Sequence, residues 1–403
     1  GLLFIFTPLV MTVPIMGSGI GFTDALFEAI SGATTTGLST LPTVEDKPAS
    51  FLFSRAWMQW YGGLGIVVLS LALMVKPGRA AKGLSVTEAQ SDDLVGGTRA
   101  HARNVLVIYT SLTVAAVIMI WAMTGRPFHA LLYALAAVST GGYAPHDNSL
   151  AGLGHWPAHT TELLACFSGA VSLMLYYQLY KRRWRETLEF LQLRSLLTLG
   201  ILITVALGLC MFLSGVSWPM LLSHAPFMAF SAQSTAGFST MEISSLDSGS
   251  KLILIIAMVV GGGLGSTAGG FKIFRLLVFL QICRLMVVRT CLATGAVFQP
   301  RLAGNRLNEE MVRDGLLIII LFVAVIILSW LPFLIFAYDP LDALFEVVSA
   351  TGTVGLSTGI VREELPTGLK GVLCADMLMG RLEILMWIVF FSPRTWIGRR
   401  LKQ

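Results

Sequence analysis

One motif of 17 residues occurs four times in this chain and constrains its fold more than any other feature. The copies align without gaps and read DALFEAISGATTTGLST (24–40), HALLYALAAVSTGGYAP (129–145), HAPFMAFSAQSTAGFST (224–240) and DALFEVVSATGTVGLST (342–358). They begin 105, 95 and 118 residues apart, and each has Ala second, a Thr near its end and a Gly two residues after that Thr. Such internal repetition indicates four copies of one structural unit of about 100 residues.

The chain between these motifs is unusually apolar. Hydrophobic residues make up 55% of its 403 residues and charged residues only 13%, with a mean hydropathy of +0.75, outside the usual range of soluble domains. We therefore predict a polytopic membrane protein with eight spanning segments, two to a unit. Apolar runs near the ~20 residues that cross a bilayer lie at 51–75, 104–124, 160–180, 195–214, 251–283, 315–337 and 369–391, and a further run, 1–17, looks cut short.

The repeated motif itself is too short and too polar to cross a membrane. Its first part, DALFEAI or DALFEVV, provides two helical turns, and the Gly/Thr-rich part that follows must return to the same side. Non-helical backbone at membrane depth is tolerated where it is buried in protein or lines water. We predict an all-α protein in which each unit is a helix, a re-entrant half-helix with an extended loop, and a second helix, with the four loops meeting on one axis. The units are 1–76, with its first helix truncated, 104–194, 195–290 and 315–403.

The distribution of basic residues predicts the orientation. The segments on one side, 76–103, 181–194, 272–313 and 394–403, hold 21 of the 28 Lys and Arg residues, whereas the side with the repeated motifs holds six. Because cytoplasmic loops are enriched in Lys and Arg, the motifs should face outward. That outer side also carries 13 of the 23 acidic residues, and an anionic mouth attracts cations. The net charge of +5 therefore indicates topology and gives no reason to expect nucleic-acid binding.

Four short Thr-x-Gly loops around one axis would present backbone carbonyls to a file of ions. A ring of carbonyls can replace the hydration shell of a monovalent cation, and Gly lets the backbone turn its carbonyl to the axis without narrowing the passage. The fourth copy contains the Thr-Val-Gly sequence of potassium-channel filters, and glycine in all four copies favours the larger ion, K⁺. The predicted filter residues are Thr35, Thr36, Gly37, Thr140, Gly141, Gly142, Thr235, Ala236, Gly237, Thr353, Val354 and Gly355.

These motifs, with GGGLGSTAGG (261–270) and MLMGRLEILMW (377–387), resemble the TrkH/KtrB/HKT superfamily of potassium transporters, and within it the bacterial TrkH subunits. The resemblance covers essentially the whole chain. It implies four M1–P–M2 repeats with pseudo-fourfold symmetry, a bacterial inner-membrane location, a homodimer, and a cytoplasmic nucleotide-binding TrkA-type ring as partner. Members with Ser at the first filter position often conduct Na⁺, so Gly37 implies K⁺. TrkH proteins have an extra helical pair before the first repeat, so by this resemblance the sequence given is expected to be truncated at its amino end.

The second copy of the motif departs from the others at its end. It has Ala144-Pro145 where the other three copies have Ser-Thr, so its loop should have a different shape. Family members break the third M2 helix at the glycine-rich run, which implies a gate beneath the filter.

The glycine-rich run has three possible interpretations. Residues 263–268 fit the dinucleotide-binding pattern GxGxxA, but this run lies in a spanning segment with no acidic residue until Glu309, so the pattern's βαβ context is absent. Close helix packing could use such small residues, yet six glycines in ten residues exceed that need and favour a flexible plug. The predicted gate residues are Gly261, Gly262, Gly263, Gly265, Ser266, Thr267, Gly269, Gly270 and Arg381.

Arg381 should lie near mid-membrane, about ten residues into its spanning segment. A charge there costs at least about 2.5–3.5 kcal/mol, which favours a functional role over an Arg that snorkels to the interface. Its guanidinium can bond free carbonyls of a non-helical Gly loop. Asp376 and Glu383 are candidate partners, and pairing with Glu383 for stability alone is the competing interpretation.

The remaining polar residues have simpler interpretations. Asp24 and Asp342, each four residues before Glu28 and Glu346, could form an ion-binding acid cluster, but they fit better as first-turn acids at half-helix N-termini. The equivalent positions in the other copies are His129 and His224, which also argues against these two histidines as metal ligands. Asp339-Pro340 fits an N-cap with a proline at N1. The basic KRRWR segment (181–185) is a positive-inside anchor. The five Cys show no metal or disulfide spacing.

The function predicted is K⁺ uptake, with K⁺ at the filter as the only metal and with no cofactor. A Na⁺-conducting or cation-coupled symporter of the same fold is the alternative, because channels and symporters share such filters. A membrane enzyme is a remote alternative, since the six His form no convincing catalytic cluster.

Overall fold

The computed structural model describes residues 2–75, 97–153, 156–182, 188–291, 301–303, 305–307, 309–382, 384 and 386–387. Fourteen α-helices occur in these ranges: α1 (Leu2–Met16), α2 (Phe22–Ala33), α3 (Ala49–Val75), α4 (Gly97–Thr124), α5 (Pro127–Val138), α6 (Trp156–Ala170), α7 (Leu173–Tyr180), α8 (Leu188–Leu213), α9 (Trp218–Gln233), α10 (Ser248–Val260), α11 (Ile273–Cys291), α12 (Glu309–Ile335), α13 (Pro340–Thr351) and α14 (Thr367–Arg381). A two-residue strand, β1 (Arg301–Leu302), pairs antiparallel with β2 (Asn305–Arg306).

The described residues of each predicted spanning segment are largely helical apart from the two breaks given below, but the helices are not equally long. Within the described residues, three helices are individually long and apolar enough to cross a membrane, at Ala102–Thr124, Leu188–Leu213 and Glu309–Ile335. The bent pair α6 and α7 makes a fourth span if its two helices are counted as one. The total of eight spans therefore stays a prediction. Most of the basic KRRWR anchor and all of 394–403 lie outside the described residues.

The half-helices α2, α5, α9 and α13 begin the repeated motifs and run for 12 to 16 residues. The prediction of two turns was too short, because each helix continues to the last residue before the Thr/Gly segment. The predicted cap of α13 is present: the Asp339 side chain accepts hydrogen bonds from the amides of Leu341 and Asp342, both at 3.0 Å, and Pro340 occupies the first turn. An N-cap carboxylate satisfies amides that have no partner within the helix.

Two predicted spans are interrupted. The segment 160–180, expected to be one helix, breaks after Ala170 and turns by 89° into α7. The segment 251–283 breaks between α10 and α11, at the predicted glycine-rich run. The two breaks bond to each other, as described below. The first break carries no proline or glycine cluster, so its cause lies in that tertiary contact.

The interior of the protein is built around the half-helices. Small residues of α5, such as Ala130, Ala134 and Ala137, are fully buried, which lets neighbouring helices approach closely. By contrast, α4, α8 and α12 expose large apolar side chains, including Val107, Leu202 and Ile320. Extended exposed apolar surface of this kind fits contact with lipid. The long helices thus lie outside and the motifs lie inside, where the candidate site is.

Candidate functional site

The four Thr/Gly segments, named loops 1 to 4, follow directly on the C-termini of the half-helices. They comprise residues 34–40, 139–145, 234–240 and 352–358. In each loop the shared threonine has a left-handed backbone, with φ between 50° and 53° at Thr35, Thr140, Thr235 and Thr353. A β-branched residue rarely adopts this conformation. Sequence reasoning missed it, because glycine is the residue that normally signals it.

Hydrogen bonds at the helix ends explain the threonine conformation. In loop 1 the amide of Thr35 donates to the carbonyl of Gly32, and the amide of Thr36 donates to the carbonyl of Ser31. This pair of bonds is the Schellman motif, which requires a left-handed residue after the helix cap. The same two bonds recur in the other loops, from Thr140 and Gly141, from Thr235 and Ala236, and from Thr353 and Val354. Each loop therefore leaves its half-helix in the same direction.

The glycine of each loop also has a left-handed backbone, and it lies against the next loop. The φ values are 90° at Gly37, 80° at Gly142, 70° at Gly237 and 95° at Gly355. A Cβ added at any of them would overlap with a backbone carbonyl oxygen of another loop: that of Gly141 for Gly37, Ala236 for Gly142, Val354 for Gly237, and Thr36 for Gly355. The contacts run from loop 1 to 2, 2 to 3, 3 to 4 and 4 to 1. The four loops form a closed ring.

Exposure differs along each loop in a regular way. The threonine and the residue after it are buried in every loop, whereas the glycine is partly exposed. The hydroxyls of Thr35 and Thr353 are buried and have no hydrogen-bond partner among the residues that the structure describes. The ring therefore presents backbone to solvent at the glycines and keeps the side chains of the two preceding residues inside the protein.

Two buried carboxylates support loops 1 and 4, a role that the sequence interpretation did not give them. Glu28 Oε1 accepts hydrogen bonds from Ser39 Oγ (2.6 Å) and the Thr40 amide (3.1 Å), and Glu28 Oε2 lies 3.0 Å from Arg55. In loop 4, Glu346 Oε1 accepts from Ser357 Oγ (2.6 Å), the Thr358 amide (2.8 Å) and Thr358 Oγ1 (3.0 Å). The shared GLST ending of these two motifs was the available signal.

Loops 2 and 3 are supported by other groups. In loop 2, Gln59 of α3 donates to the Gly141 carbonyl, and the Tyr143 amide donates to Gln59 Oε1 at 3.1 Å. The different loop shape expected from Ala144-Pro145 stays a prediction. In loop 3, His224 Nδ1 lies 2.9 Å from Thr240 Oγ1. This contact gives His224 a structural role.

The glycine-rich run lies between the ring and the break in α6–α7. On one side, the amides of Gly263 and Thr267 donate to the carbonyls of Ala170 (2.9 Å) and Gly169 (3.1 Å), and the Leu173 amide donates to Gly265 (3.1 Å). On the other side, the Gly269 amide donates to Thr235 Oγ1 (2.7 Å) and the Gly270 amide to the Gly352 carbonyl (3.0 Å). The run is thus bonded directly to loops 3 and 4.

The other residues of the run hold its irregular shape. Gly261, Gly265 and Gly270 have φ values of 68°, 73° and 70°, Gly262 accepts a bond from the Ile273 amide (2.9 Å), and Ser266 Oγ donates to Gly263 (2.6 Å). Thr267 Oγ1 donates to Gly169 (2.9 Å) and lies 3.0 Å from the Val138 carbonyl. These contacts fix one non-helical conformation.

Arg381 lies at the end of α14 and is 3% exposed. Its Nη1 donates to the Thr267 carbonyl at 2.6 Å, and its Nη2 lies 3.4 Å from the Gly62 carbonyl of α3. The guanidinium therefore bonds the glycine-rich run, as the sequence suggested it could. Asp376 is not its partner: Asp376 Oδ1 accepts from Ser329 Oγ of α12 at 2.6 Å, since it lies on another face of α14. Glu383 lies outside the described residues.

The two first-turn acids have partners that sequence reasoning did not foresee. Asp24 lies 2.5 Å from Lys370 of α14, and Asp342 lies 2.6 Å from Lys251 of α10. Both lysines are largely buried. Each pair joins a half-helix to a helix that precedes it in the ring order, so the acids have a second role besides the helix dipole.

A further contact joins the segments that follow loops 1 and 2. Glu45 Oε1 lies 3.2 Å from His146 Nδ1 and accepts a hydrogen bond from the Asp147 amide, also at 3.2 Å. This bond and the contact with His146 hold the pKa of Glu45 below its ordinary value. His129 stacks on His146 with ring centroids 5.2 Å apart. Within the described ranges, no group of three or more His, Cys, Asp or Glu could hold a metal ion.

Comparison with known families identifies the fold that carries this ring. The model of the TrkH family, described as cation transport proteins, matches residues 7–397. The chain belongs to the TrkH family. The TrkH potassium uptake protein of Escherichia coli is 28% identical over 389 residues, which are 93% of this chain and 79% of that protein. TrkI of Halomonas elongata, also a potassium uptake protein, is 29% identical, with 98% and 81% covered.

A solved TrkH-family structure has the same fold. The crystal structure of the potassium transporter TrkH from Vibrio parahaemolyticus superposes with a TM-score of 0.86 at 24% identity, covering 98% of this chain and 84% of that one. An uncharacterized cation transporter of Methanocaldococcus jannaschii is 28% identical over 92% of this chain and 76% of its own length. The predictions of a TrkH-type, multi-pass membrane transporter and of a non-enzymatic protein are confirmed.

Proposed function

We propose that this TrkH-family protein takes up K⁺ across the cell membrane through a selectivity filter made of loops 1 to 4. The observation that carries the proposal is the closed ring, in which glycine occurs at every point of closest approach between loops. Carbonyl oxygens in such a ring can take the place of water around a dehydrated monovalent cation. The filter residues are the twelve named from the sequence.

The half-helices favour a cation over an anion. All four end at the residue before a loop, so the partial negative charge of each helix C-terminus lies at the ring. The four dipoles act together on an ion at the centre. Four glycines in the shared column leave more room than a hydroxymethyl group would, which supports K⁺ over the smaller Na⁺.

The glycine-rich run and Arg381 form the gate in this proposal. The run contacts loops 3 and 4 and is bonded to Arg381, so a movement of the run would change the space directly beneath the ring. The run placed across the path and the positive charge of Arg381 beside it both oppose ion passage, and displacement of the run opens the path.

The finer architecture belongs to the same proposal. We infer four M1–P–M2 repeats around one pore, with the filter facing outward, because the other side carries most of the Lys and Arg residues. A bacterial inner-membrane location, a homodimer and a cytoplasmic TrkA-type regulatory ring are inferred from the family resemblance. The alternative is a Na⁺-conducting or cation-coupled transporter of this fold.

The test replaces filter glycines by serine and measures Rb⁺ and Na⁺ uptake into vesicles that contain the purified protein. Gly37→Ser and Gly355→Ser should each lower the Rb⁺/Na⁺ uptake ratio roughly tenfold, or about 1.4 kcal/mol of differential binding. Each serine adds a side chain and a hydroxyl oxygen at a position where the carbonyl of a neighbouring loop leaves no space for a Cβ.

Gly359→Ser is a matched control. Gly359 has the same φ of 95° as Gly355, but a Cβ there would meet nothing within 4 Å. The control carries the backbone strain without the crowding, so its uptake ratio should stay at the wild-type value. Equal ratios in all three variants and the wild type would rule out the filter assignment, and preferential Na⁺ uptake by the wild type would favour the alternative.

A further inference from the structure

Loop 2 differs from the other loops at the residue before its shared glycine. The other loops have Thr36, Ala236 and Val354 at this position, whereas loop 2 has Gly141. Gly141 does not have a left-handed backbone, unlike Gly142 beside it. The glycine is therefore not required by its backbone conformation, and another reason must account for it.

The side chain of Gln59 occupies the space that a side chain at Gly141 would need. A Cβ added to Gly141 would lie 2.8 Å from Gln59 Nε2 and still closer to Gln59 Cδ. Gln59 lies on α3, the helix that follows loop 1 in the chain, and its side chain is fully buried. A side chain from another helix thus fills the place of the missing one.

Gln59 also makes two hydrogen bonds to loop 2. Its Nε2 donates to the Gly141 carbonyl, and its Oε1 accepts from the Tyr143 amide at 3.1 Å. The amide orientation is determined by these partners, because a carbonyl only accepts and a backbone amide only donates. The two bonds span Gly142, the residue that lies against loop 3.

The same helix supports loop 1 one turn earlier. Arg55, four residues before Gln59, is bonded to Glu28 of α2, and its guanidinium lies 3.8 Å from the ring centroid of Tyr143 in loop 2. The Tyr143 hydroxyl donates in turn to the Glu28 carbonyl at 3.0 Å. One face of α3 therefore contacts both loops.

Equivalent positions in other helices lack such a polar group. A Cβ added at Gly62, Gly169 or Gly380 would overlap with a carbonyl oxygen, in each case that of the last residue of the half-helix in the same unit. These three glycines therefore occupy equivalent positions in their units. Three residues earlier, Gln59 corresponds to Cys166 in α6 and Met377 in α14. Among these three helices, the polar side chain occurs where the adjacent loop has two consecutive glycines.

We propose that Gln59 is a specificity-determining positioning residue, which replaces the side chain absent from Gly141 and fixes the orientation of the Gly141 carbonyl in the ring. Two consecutive glycines have few steric limits on their backbone. Without Gln59 the peptide between Gly141 and Gly142 can rotate, and one of the four carbonyls then leaves its place. This inference rests on the proposed filter function.

The test is a double-mutant cycle with Rb⁺ and Na⁺ uptake by purified protein in vesicles as the readout. Gln59→Ala should lower the Rb⁺/Na⁺ ratio by roughly tenfold because it frees the peptide, equivalent to about 1.4 kcal/mol. Gly141→Ala should lower it because the new Cβ displaces the Gln59 amide. The double variant should recover much of the wild-type ratio, since the methyl group then occupies the vacated space, as in Ala236 of loop 3.

Coupling between the two positions decides the outcome. Effects that add in the double variant would overturn the proposal, since residues that share one space must couple. Gln59→Met retains the length of the side chain and loses both hydrogen bonds, so it should fold and still show a lowered ratio. A wild-type ratio in Gln59→Met would show that the bonds do not position the carbonyl. Met377→Leu, at the equivalent place in α14, is the control and should match the wild type.

The filter assignment itself is tested separately. If Gly37→Ser and Gly355→Ser lower the ratio while the Gln59 variants do not, the proposal for Gln59 fails and the filter stands. If neither set changes the ratio, the filter assignment fails. Purified variants are compared by thermal unfolding in detergent, so that uptake is expressed per folded molecule.

Discussion

Replacing Arg381 by alanine should increase K⁺ flux. The Arg381 guanidinium donates a 2.6 Å hydrogen bond to the Thr267 carbonyl in the glycine-rich run, and both groups are buried. The second contact, to Gly62 at 3.4 Å, is near the limit for a hydrogen bond and should contribute little. The first bond is the contact that the substitution removes.

The size of the effect follows from that one bond. A hydrogen bond to a charged group contributes about 1.5–3 kcal/mol. If the bond exists only when the run is in its closed position, its loss shifts the closed-to-open ratio by roughly 10- to 150-fold, at about 1.4 kcal/mol per tenfold. Removal of the charge also lowers repulsion of K⁺ in a poorly hydrated passage. Flux should rise until the open form predominates, and the Rb⁺/Na⁺ ratio should not change.

Arg381→Lys should be intermediate, because it keeps the charge but loses the planar fork of donors. Dependence of flux on a cytoplasmic regulator should weaken in the same order. The assay is Rb⁺ uptake per molecule of purified, folded protein in vesicles. Arg194→Ala removes an exposed arginine of α8 and serves as the control, with wild-type uptake expected. Uptake at or below the wild-type level in folded Arg381→Ala would refute the role of Arg381 in the gate.

Two further predictions concern the gate and the support of the half-helices. Thr267→Val keeps the shape of the side chain but removes the hydroxyl bond to Gly169, worth about 1 kcal/mol, and should raise the Rb⁺ uptake rate about fivefold without changing the Rb⁺/Na⁺ ratio. Asp24→Asn leaves the largely buried ammonium of Lys370 without its carboxylate, and should lower the unfolding free energy by up to about 3 kcal/mol, measured by thermal unfolding in detergent.

The controls for these two variants are simple. Thr198→Val in α8 removes a hydroxyl that bonds only its own helix and should leave uptake unchanged. Arg362→Gln breaks an exposed ion pair with Glu364, and exposed pairs contribute about 0–1 kcal/mol. A changed ion ratio in Thr267→Val would assign the run to the filter. Equal stability of Asp24→Asn and Arg362→Gln would contradict a structural role for the Asp24–Lys370 pair.

The sequence by itself determined which segments form the candidate site. The four aligned motifs located the half-helices and the loops. Only glycine fits where the backbones of two loops meet, so a glycine occurs at the same position of all four motifs. The break of the 251–283 segment was equally visible, since six glycines in ten residues do not favour a helix. The guanidinium of Arg381 also had to find acceptors, because a buried charge without partners is too costly.

Only the tertiary structure decided how these segments are held. The break after Ala170 depends on the glycine-rich run, because amides of the run donate hydrogen bonds to the carbonyls at that break. The sequence of 160–180 contains no local signal that predicts the break. Glu28 accepts hydrogen bonds from Ser39 and Thr40, eleven and twelve residues later in the chain, and Gln59 contacts loop 2, more than eighty residues later. Such contacts depend on where the helices meet in three dimensions. A single sequence records the residue types but not their distances, so the polar supports of the ring become visible only in the folded chain.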